Sequence, residues 1–327
     1  MLLKFVVPMV LMFASGFAPA PDPSIQVGGG TIDVNFDADL PAAKQKEVMT
    51  WIHDAADSIV TYYGRFPLPH TFLEVRTFDG SSVHNGHTFP VHNGGLIRIS
   101  VGVNSTPAQL KEDWTMTHEM VHLTFPNMEG RNHHWIEEGL AVYVEPIARV
   151  QAHNFGKEEA WGEMVRDMHQ GEPQEGDRGL DNTHTWGRTY WGGCLFGLVA
   201  DIEIHLRTGN KKGLQDALRA IMNAGGVITD DWQIERAFEV GDKAVGVPVL
   251  EELYAQWKDK PVTVDLDKLW QELGVTEQNG VAAFNNNAPL ASIRASITSG
   301  KPGKPVKTKF AMSSLMKAGN DSQYRTR

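Results

Sequence analysis

Thr117-His118-Glu119-Met120-Val121-His122 is the stretch on which the reading of this 327-residue chain turns. Residues four apart on an α-helix lie one above the other, so His118 and His122 can offer both imidazoles to a single metal ion. Glu119 follows the first of them. From there its carboxylate can reach a water beside the ion without taking a coordination position, as a zinc hydrolase requires. Chance also produces such a spacing, so its surroundings carry the decision.

Upstream, Ile97, Ile99, Val101 and Val103 alternate with Arg98, Ser100 and Gly102, the period of a half-buried strand. Thr106, Pro107 and Gln109 then form a capping box with proline at the first helical position. One helix is predicted from there through His122, unable to pass far beyond Pro126. Strand followed by helix sets the motif beside a sheet edge, where an extended peptide can lie.

Two histidines hold zinc poorly, so a third protein ligand is needed, with one position left for water. Trp135-Ile136-Glu137-Glu138-Gly139-Leu140-Ala141-Val142-Tyr143-Val144-Glu145 offers it. Glu138 shares a helix face with Ala141, Val142 and Glu145 and is the expected ligand of one Zn2+ ion. Glu137 is expected in solvent. Glu145, two turns on, either orients a ligand histidine or lies solvated. His133 and His134 point apart on a helix, and Phe125 stands where the metzincin pattern needs glycine, so neither is expected to bind the metal. His84, His87 and His92 fall in a polar segment, residues 79–95, read as an exposed loop before the edge strand.

The pairing of His118-Glu119-Met120-Val121-His122 with Trp135-Ile136-Glu137-Glu138-Gly139-Leu140-Ala141 resembles the gluzincin metallopeptidases of the MA clan. In that group a glutamate just before a glycine on a second helix completes a two-histidine, one-glutamate site. Tyr190-Trp191-Gly192-Gly193, leading to Leu198-Val199-Ala200-Asp201-Ile202-Glu203-Ile204 and Arg207-Thr208-Gly209-Asn210-Lys211, is similar to the glycyl aminopeptidase family. The likeness extends back to Tyr62-Tyr63-Gly64-Arg65-Phe66-Pro67 and forward to about Gly274.

The resemblance implies an α+β fold: a zincin-like (thermolysin-like) catalytic domain with a small mixed sheet and the motif helix, followed by a largely helical lobe. It also implies a site tyrosine near this helix start, which makes Tyr190 the candidate donor to the oxyanion; His184, in the preceding loop, is the rival, and a core-packing role is the alternative for Tyr190. The pattern departs from the family in three places. The connector between His122 and Glu138 is short. No acidic Gly-x-Met-Glu-Asn edge precedes the motif, where Val91-His92-Asn93-Gly94-Gly95-Leu96 stands instead. The family's long N-terminal β region and PDZ-like insert are absent from the pattern. Aminopeptidases use the acidic edge to hold a substrate's amino terminus, so endopeptidase action is favoured. An aminopeptidase of the same clan, or a zinc-containing peptide-binding protein without turnover, is the alternative.

The remainder of the chain fits an exported enzyme. Lys4 and the apolar run from Phe5 to Phe13 read residues 1–20 as a secretory signal, too short to span a bilayer. A secreted or periplasmic location follows, with no transmembrane segment. The single cysteine, Cys194, cannot form an internal disulfide and is read as a buried hydrophobe. The net charge of −10 argues against nucleic acid as a partner and leaves a peptide or protein as the substrate.

Residues 24–130 are read as the sheet and motif-helix half of the catalytic domain, and residues 131–278 as its helical half. Residues 279–327 are read as a linker and disordered basic tail. Helices are predicted over 135–149, 157–169, 188–207, 212–224, 230–240, 248–258 and 265–273. Residues 171–187, rich in Gly, Asp and Asn, form a long loop expected to line the site. Trp51, Trp114, Trp161, Trp232, Trp257 and Trp270 are assigned to packing.

Overall fold

Alternating apolar residues in the first third of the chain build one five-stranded sheet. In the computed structural model the described residues are 23–38, 40–305 and 310–319, so the signal-peptide reading lies outside them. Strands β1 (Ser24–Val27) and β2 (Gly30–Phe36) precede the long helix α1 (Ala42–Tyr63), and β3 (His70–Phe78), β4 (Val83–Val91) and β5 (Gly94–Gly102) follow it. The spatial order is β1-β2-β3-β5-β4, parallel between β2, β3 and β5 and antiparallel at both edges. Ile32, Val34, Leu73, Val75, Ile97, Ile99 and Val101 are fully buried. They share one core with Val48, Trp51, Ile52 and Ile59 of α1.

The edge strand is not β5, as read from the sequence, but β4, which occupies most of the segment expected to be a loop. Its composition concealed it. No side chain of β4 is buried, so the strand lacks the apolar alternation that marks a strand with one face in the core. A bulge between His84 and His87, with Asn85 at φ 54°, interrupts its pairing with β5.

The single helix predicted through the motif is two. Helix α2 (Pro107–Glu112) carries the expected capping box between Thr106 and Gln109. Asp113 then turns extended, and its Oδ1 accepts the Thr115 N–H at 2.8 Å, starting α3 (Thr115–His122) afresh. Asp113 favours a break because its short carboxylate competes for local backbone donors.

After α3 come β6 (Asn127–Met128), α4 (His134–Gln151), α5 (Lys157–Asp167), α6 (Gly193–Arg207) and α7 (Leu214–Asn223). The chain continues with β7 (Asp231–Trp232), α8 (Ile234–Val245), α9 (Val249–Trp257), β8 (Val262–Val264) and α10 (Leu266–Leu273). Helices α4 and α6 cross in backbone contact. A Cβ on Gly139 would lie 2.3 Å from the Gly193 backbone, and one on Gly193 only 2.0 Å from the Trp135 carbonyl oxygen. Both positions therefore need glycine. No helix among the described residues is long and apolar enough to cross a membrane.

The reading of residues 279–327 as linker and disordered tail fails for those described. Strand β9 (Val275–Gln278) pairs with β10 (Val281–Phe284), α11 (Ala291–Ser299) follows, and β11 (Met316–Ala318) pairs with β8. Leu290, Ile293 and Ile297, at helical spacing, are buried, as are Met312 and Leu315. Composition averaged over the segment hid these few anchors. The packing assignment holds for five tryptophans but not for Trp114, which is 51% exposed. Cys194 is buried, and burial pushes its thiol pKa up.

Candidate metal centre

Helix α3 presents His118 and His122 toward Glu138, which sits on the second turn of α4. Glu138 Oε2 lies 3.2 Å from His118 Nε2 and 3.5 Å from His122 Nε2. Donor atoms of the three residues all fall within 4.8 Å of one another, the one such group of three found among the described residues. A tetrahedron with metal–donor bonds of about 2.0 Å has edges of roughly 3.3 Å, so these separations match a single zinc ion. Two imidazoles and a carboxylate are also the donor set of an open zinc site.

At His118 and Glu138 the electrostatics agree with that fit. Burial pulls the His118 pKa below its usual value against the pull of Glu138, favouring the neutral imidazole a metal needs. Burial acts the same way on His122, but hydrogen bonding to Glu138 and the charges of Glu138, Glu119 and Glu137 outweigh it. Burial opposes ionisation of Glu138, yet the two histidines hold its carboxyl far below the usual range. The donor set fits one zinc ion, which His118, His122 and Glu138 would hold.

Glu119 is 6% exposed at the base of a cleft of about 600 Å3. The Thr88 hydroxyl of β4 donates to its Oε2 at 2.6 Å and lies 2.9 Å from its backbone carbonyl. Two residues earlier the edge strand passes directly over the carboxylate, since a Cβ on Gly86 would stand 2.6 Å from Glu119 Oε1. Thr88 and Gly86 were missed in the sequence. The available signal was their i, i+2 spacing, which puts both on one face if the segment is a strand.

Tyr190 lines the cleft, its ring stacked 6.4 Å from that of His118. Burial and the nearby Glu138 and Glu119 push its pKa up to about 12, so it is a protonated donor at neutral pH. His184 is exposed and does not line the cleft. Nor do residues 171–187 line the cavity, contrary to expectation; instead Trp186 stacks on Tyr190 at 5.7 Å. That loop is held by a buried Arg188–Asp177 ion pair of 2.7 Å and by Asp181, which accepts from Trp135 Nε1 and the Tyr254 hydroxyl. Trp114 packs edge-on to His118 at the mouth, which is why it stays exposed.

The other acids and histidines have definite places. Glu137 is not solvated: its Oε1 accepts the Met128 N–H at 2.9 Å, and Oε2 is 3.2 Å from His134 Nδ1. His134 Nε2 also approaches Glu138 Oε1 at 3.3 Å, so it supports a ligand without joining the cluster. His133 faces Asp181 and Tyr254. Glu145 neither touches a ligand histidine nor lies at the surface. It pairs at 2.6 Å with Arg149, which donates to the Lys111 and Glu112 carbonyls at the end of α2. His84 and His87 line the cleft, and His92 does not.

Two histidines on one helix, a glutamate on the next and a further carboxylate beside them make up the donor set and base of an open zinc site. No protein-family model and no curated protein matches the sequence. Among solved structures, an aminopeptidase N family protein from Idiomarina loihiensis matches with a TM-score of 0.55 at 10% identity, over 78% of this chain and 49% of that one. An M1 zinc metallopeptidase from Deinococcus radiodurans matches with a TM-score of 0.45 at 14% identity, over 71% of this chain and 49% of its own. The chain thus spans about half the length of these structures. With the first of them, the aminopeptidase N family protein, it shares its α+β fold.

Proposed function

We propose that the chain is an exported zinc metallopeptidase that cleaves peptide bonds within a polypeptide rather than at its amino end. The convergence of His118, His122 and Glu138, with the Glu119 carboxylate beside them on the floor of an open cleft, carries this reading. Zinc held there supplies Lewis acidity, acidifying water and polarising a carbonyl oxygen. Glu119 takes a proton from the attacking water and passes it to the leaving amine. Thr88 holds the Glu119 carboxylate in place through Oε2, which leaves Oε1 for the proton. Tyr190, protonated and facing the same cleft, donates to the oxyanion. Strand β4 is a sheet edge along the cleft, so an extended substrate can add to it through main-chain hydrogen bonds.

Internal cleavage is favoured by the charge of the cleft. Strand β4 carries no acid, and the carboxylates lining the cleft are Glu119, Glu137 and Glu138. Glu137 is already committed to Met128 and His134, leaving no free carboxylate for a substrate's ammonium group. The aminopeptidase reading rests on Glu137 exchanging those partners for an amine. Export is supported by the signal-like run Lys4 to Phe13.

The test is digestion of a mixed peptide library by zinc-loaded protein, with Glu119→Gln as control. Internal cuts that vanish in the variant support the proposal, and cuts confined to amino termini replace it with the aminopeptidase reading. Zinc binding with no cleavage above the variant leaves a peptide-binding protein.

A further inference from the structure

The chain carries a net charge of −10, yet a large cavity among the described residues is lined by cations and by no carboxylate. The cavity, about 680 Å3, opens where the C-terminal end of α4 meets α5, α7 and α11. Lys157, Arg219, Arg294 and Lys301 line it, with His153 beside them. The metal centre lies at the opposite end of α4, so this is a separate site.

What holds these cations in place does not neutralise them. Arg294 is 4% exposed, and its guanidinium donates to the Leu273 and Gly274 carbonyls and to Asn286 Oδ1, all neutral acceptors. Its Cζ lies 4.4 Å from the Phe284 ring centroid. Arg219 likewise donates to the Tyr62 and Thr61 carbonyls. Neither arginine has a carboxylate partner among the described residues, and Lys301 has none either. Only Lys157 has an acid near it, the exposed Glu158 at 3.6 Å.

A buried guanidinium is ordinarily paired, because removing an ion from water without a counter-charge is costly. Burial does pull the Arg294 pKa below its usual value. His153 reaches the cavity from a left-handed backbone at φ 62°, a conformation that a non-glycine residue adopts at a cost. Two arginines fixed by neutral acceptors, with their charge unused, are the receptor half of an ion pair.

We propose that this cavity binds a small organic dianion, a phosphate monoester or a dicarboxylate. Its charge sits among Arg294, Arg219 and Lys301, and its apolar body packs against Trp161 and Phe155. The volume argues for a body: the cavity falls within the usual 300–1,000 Å3 of small-molecule sites, far larger than a bare oxyanion. The proposal does not rest on the peptidase reading.

Titration calorimetry on the full zinc-loaded chain at low ionic strength tests it, with phenyl phosphate, isophthalate, inorganic phosphate and neutral benzamide as probes. Saturable one-to-one binding of an aryl dianion is expected, at least about tenfold tighter than inorganic phosphate, with no binding of benzamide. Which dianion binds assigns the phosphate or the carboxylate source. The double charge reversal Lys157→Glu and Lys301→Glu touches exposed side chains only, and it should weaken binding by about tenfold or more. Glu119→Gln should leave binding unchanged. Absence of saturable binding by both aryl dianions overturns the proposal, as does binding indifferent to the charge reversal. Weakening by Glu119→Gln also overturns it, by placing the anion at the metal centre.

Discussion

The Thr88 hydroxyl on the edge strand donates a 2.6 Å hydrogen bond to Glu119 Oε2, joining the outermost strand of the sheet to the motif helix. A hydrogen bond to a charged group contributes about 1.5–3 kcal/mol, and this one fixes where the second carboxylate oxygen points. Thr88→Val should lower kcat by roughly tenfold with zinc content unchanged, and Thr88→Ser should restore most of it. Steady-state kinetics beside metal analysis decide this. A fall in zinc content parallel to activity would instead make Thr88 a structural prop.

Metal binding should separate the ligands from the base. His122→Ala and Glu138→Gln each remove a donor, and zinc affinity should fall by more than the 10–100-fold typical of outer-shell losses. Glu119→Gln keeps all three donors and should bind zinc as tightly as the native chain. Competition against a chromogenic chelator measures all three. Loss of zinc in Glu119→Gln would mean that Glu119 is itself a ligand.

Gly139→Ala tests the crossing of α4 and α6. The added Cβ meets backbone rather than a movable side chain, 2.3 Å from Gly193. Overpacking of this kind costs about 1–3 kcal/mol, here at the upper end, and Tm should drop by roughly 5 °C or more. The shift should also displace Glu138 relative to Tyr190, so zinc affinity falls with stability. Calorimetric melting with and without zinc reads both effects.

Glu172 sets a pH dependence. Burial pushes its carboxyl up to about 7, against the opposing effects of the Val264 N–H it accepts and of Arg188. The folded chain therefore binds this proton more tightly than the unfolded chain does. The associated stability is fully present below pH 4.5 and is lost as pH rises to about 7. Because the group is partly open to solvent, the loss should be about 1 kcal/mol rather than the full value of the shift. Glu172→Gln retains an oxygen for the Val264 N–H and should flatten that part of the curve. Glu145, also raised to about 7 by burial despite Arg149, acts in the same direction. The readout is thus the difference between native and variant urea midpoints at pH 5 and pH 8.

The cluster of His118, His122 and Glu138 was legible because its signals are local. Helical spacing aligns His118 with His122, and a glycine follows Glu138 because α4 and α6 touch there. What could not be read depended on partners far away in sequence. No side chain of strand β4 is buried, and Val83 through Pro90 all border the cleft, so no apolar period marked it as a strand. Glu145, read as either orienting a ligand histidine or lying solvated, does neither, because its buried partner Arg149 reaches back to α2. Asp113 split a helix that the capping box alone would have carried through the motif. Helix α11 was hidden by the polar composition around Leu290, Ile293 and Ile297.

The connector between the ligand helices is pinned in its first half. Strand β6 pairs with β7 roughly a hundred residues later, Met128 donates to Glu137, and the Glu129 N–H donates to the Trp232 carbonyl. Immediately beyond stands Gly130, at φ 89°, where an added Cβ would meet nothing within 4 Å. Relatives of this chain should therefore gain or lose residues around 130–132 while keeping 123–129 at constant length. A longer connector in a related enzyme would then be an elaboration of one exposed corner, with the distance between His122 and Glu138 unchanged.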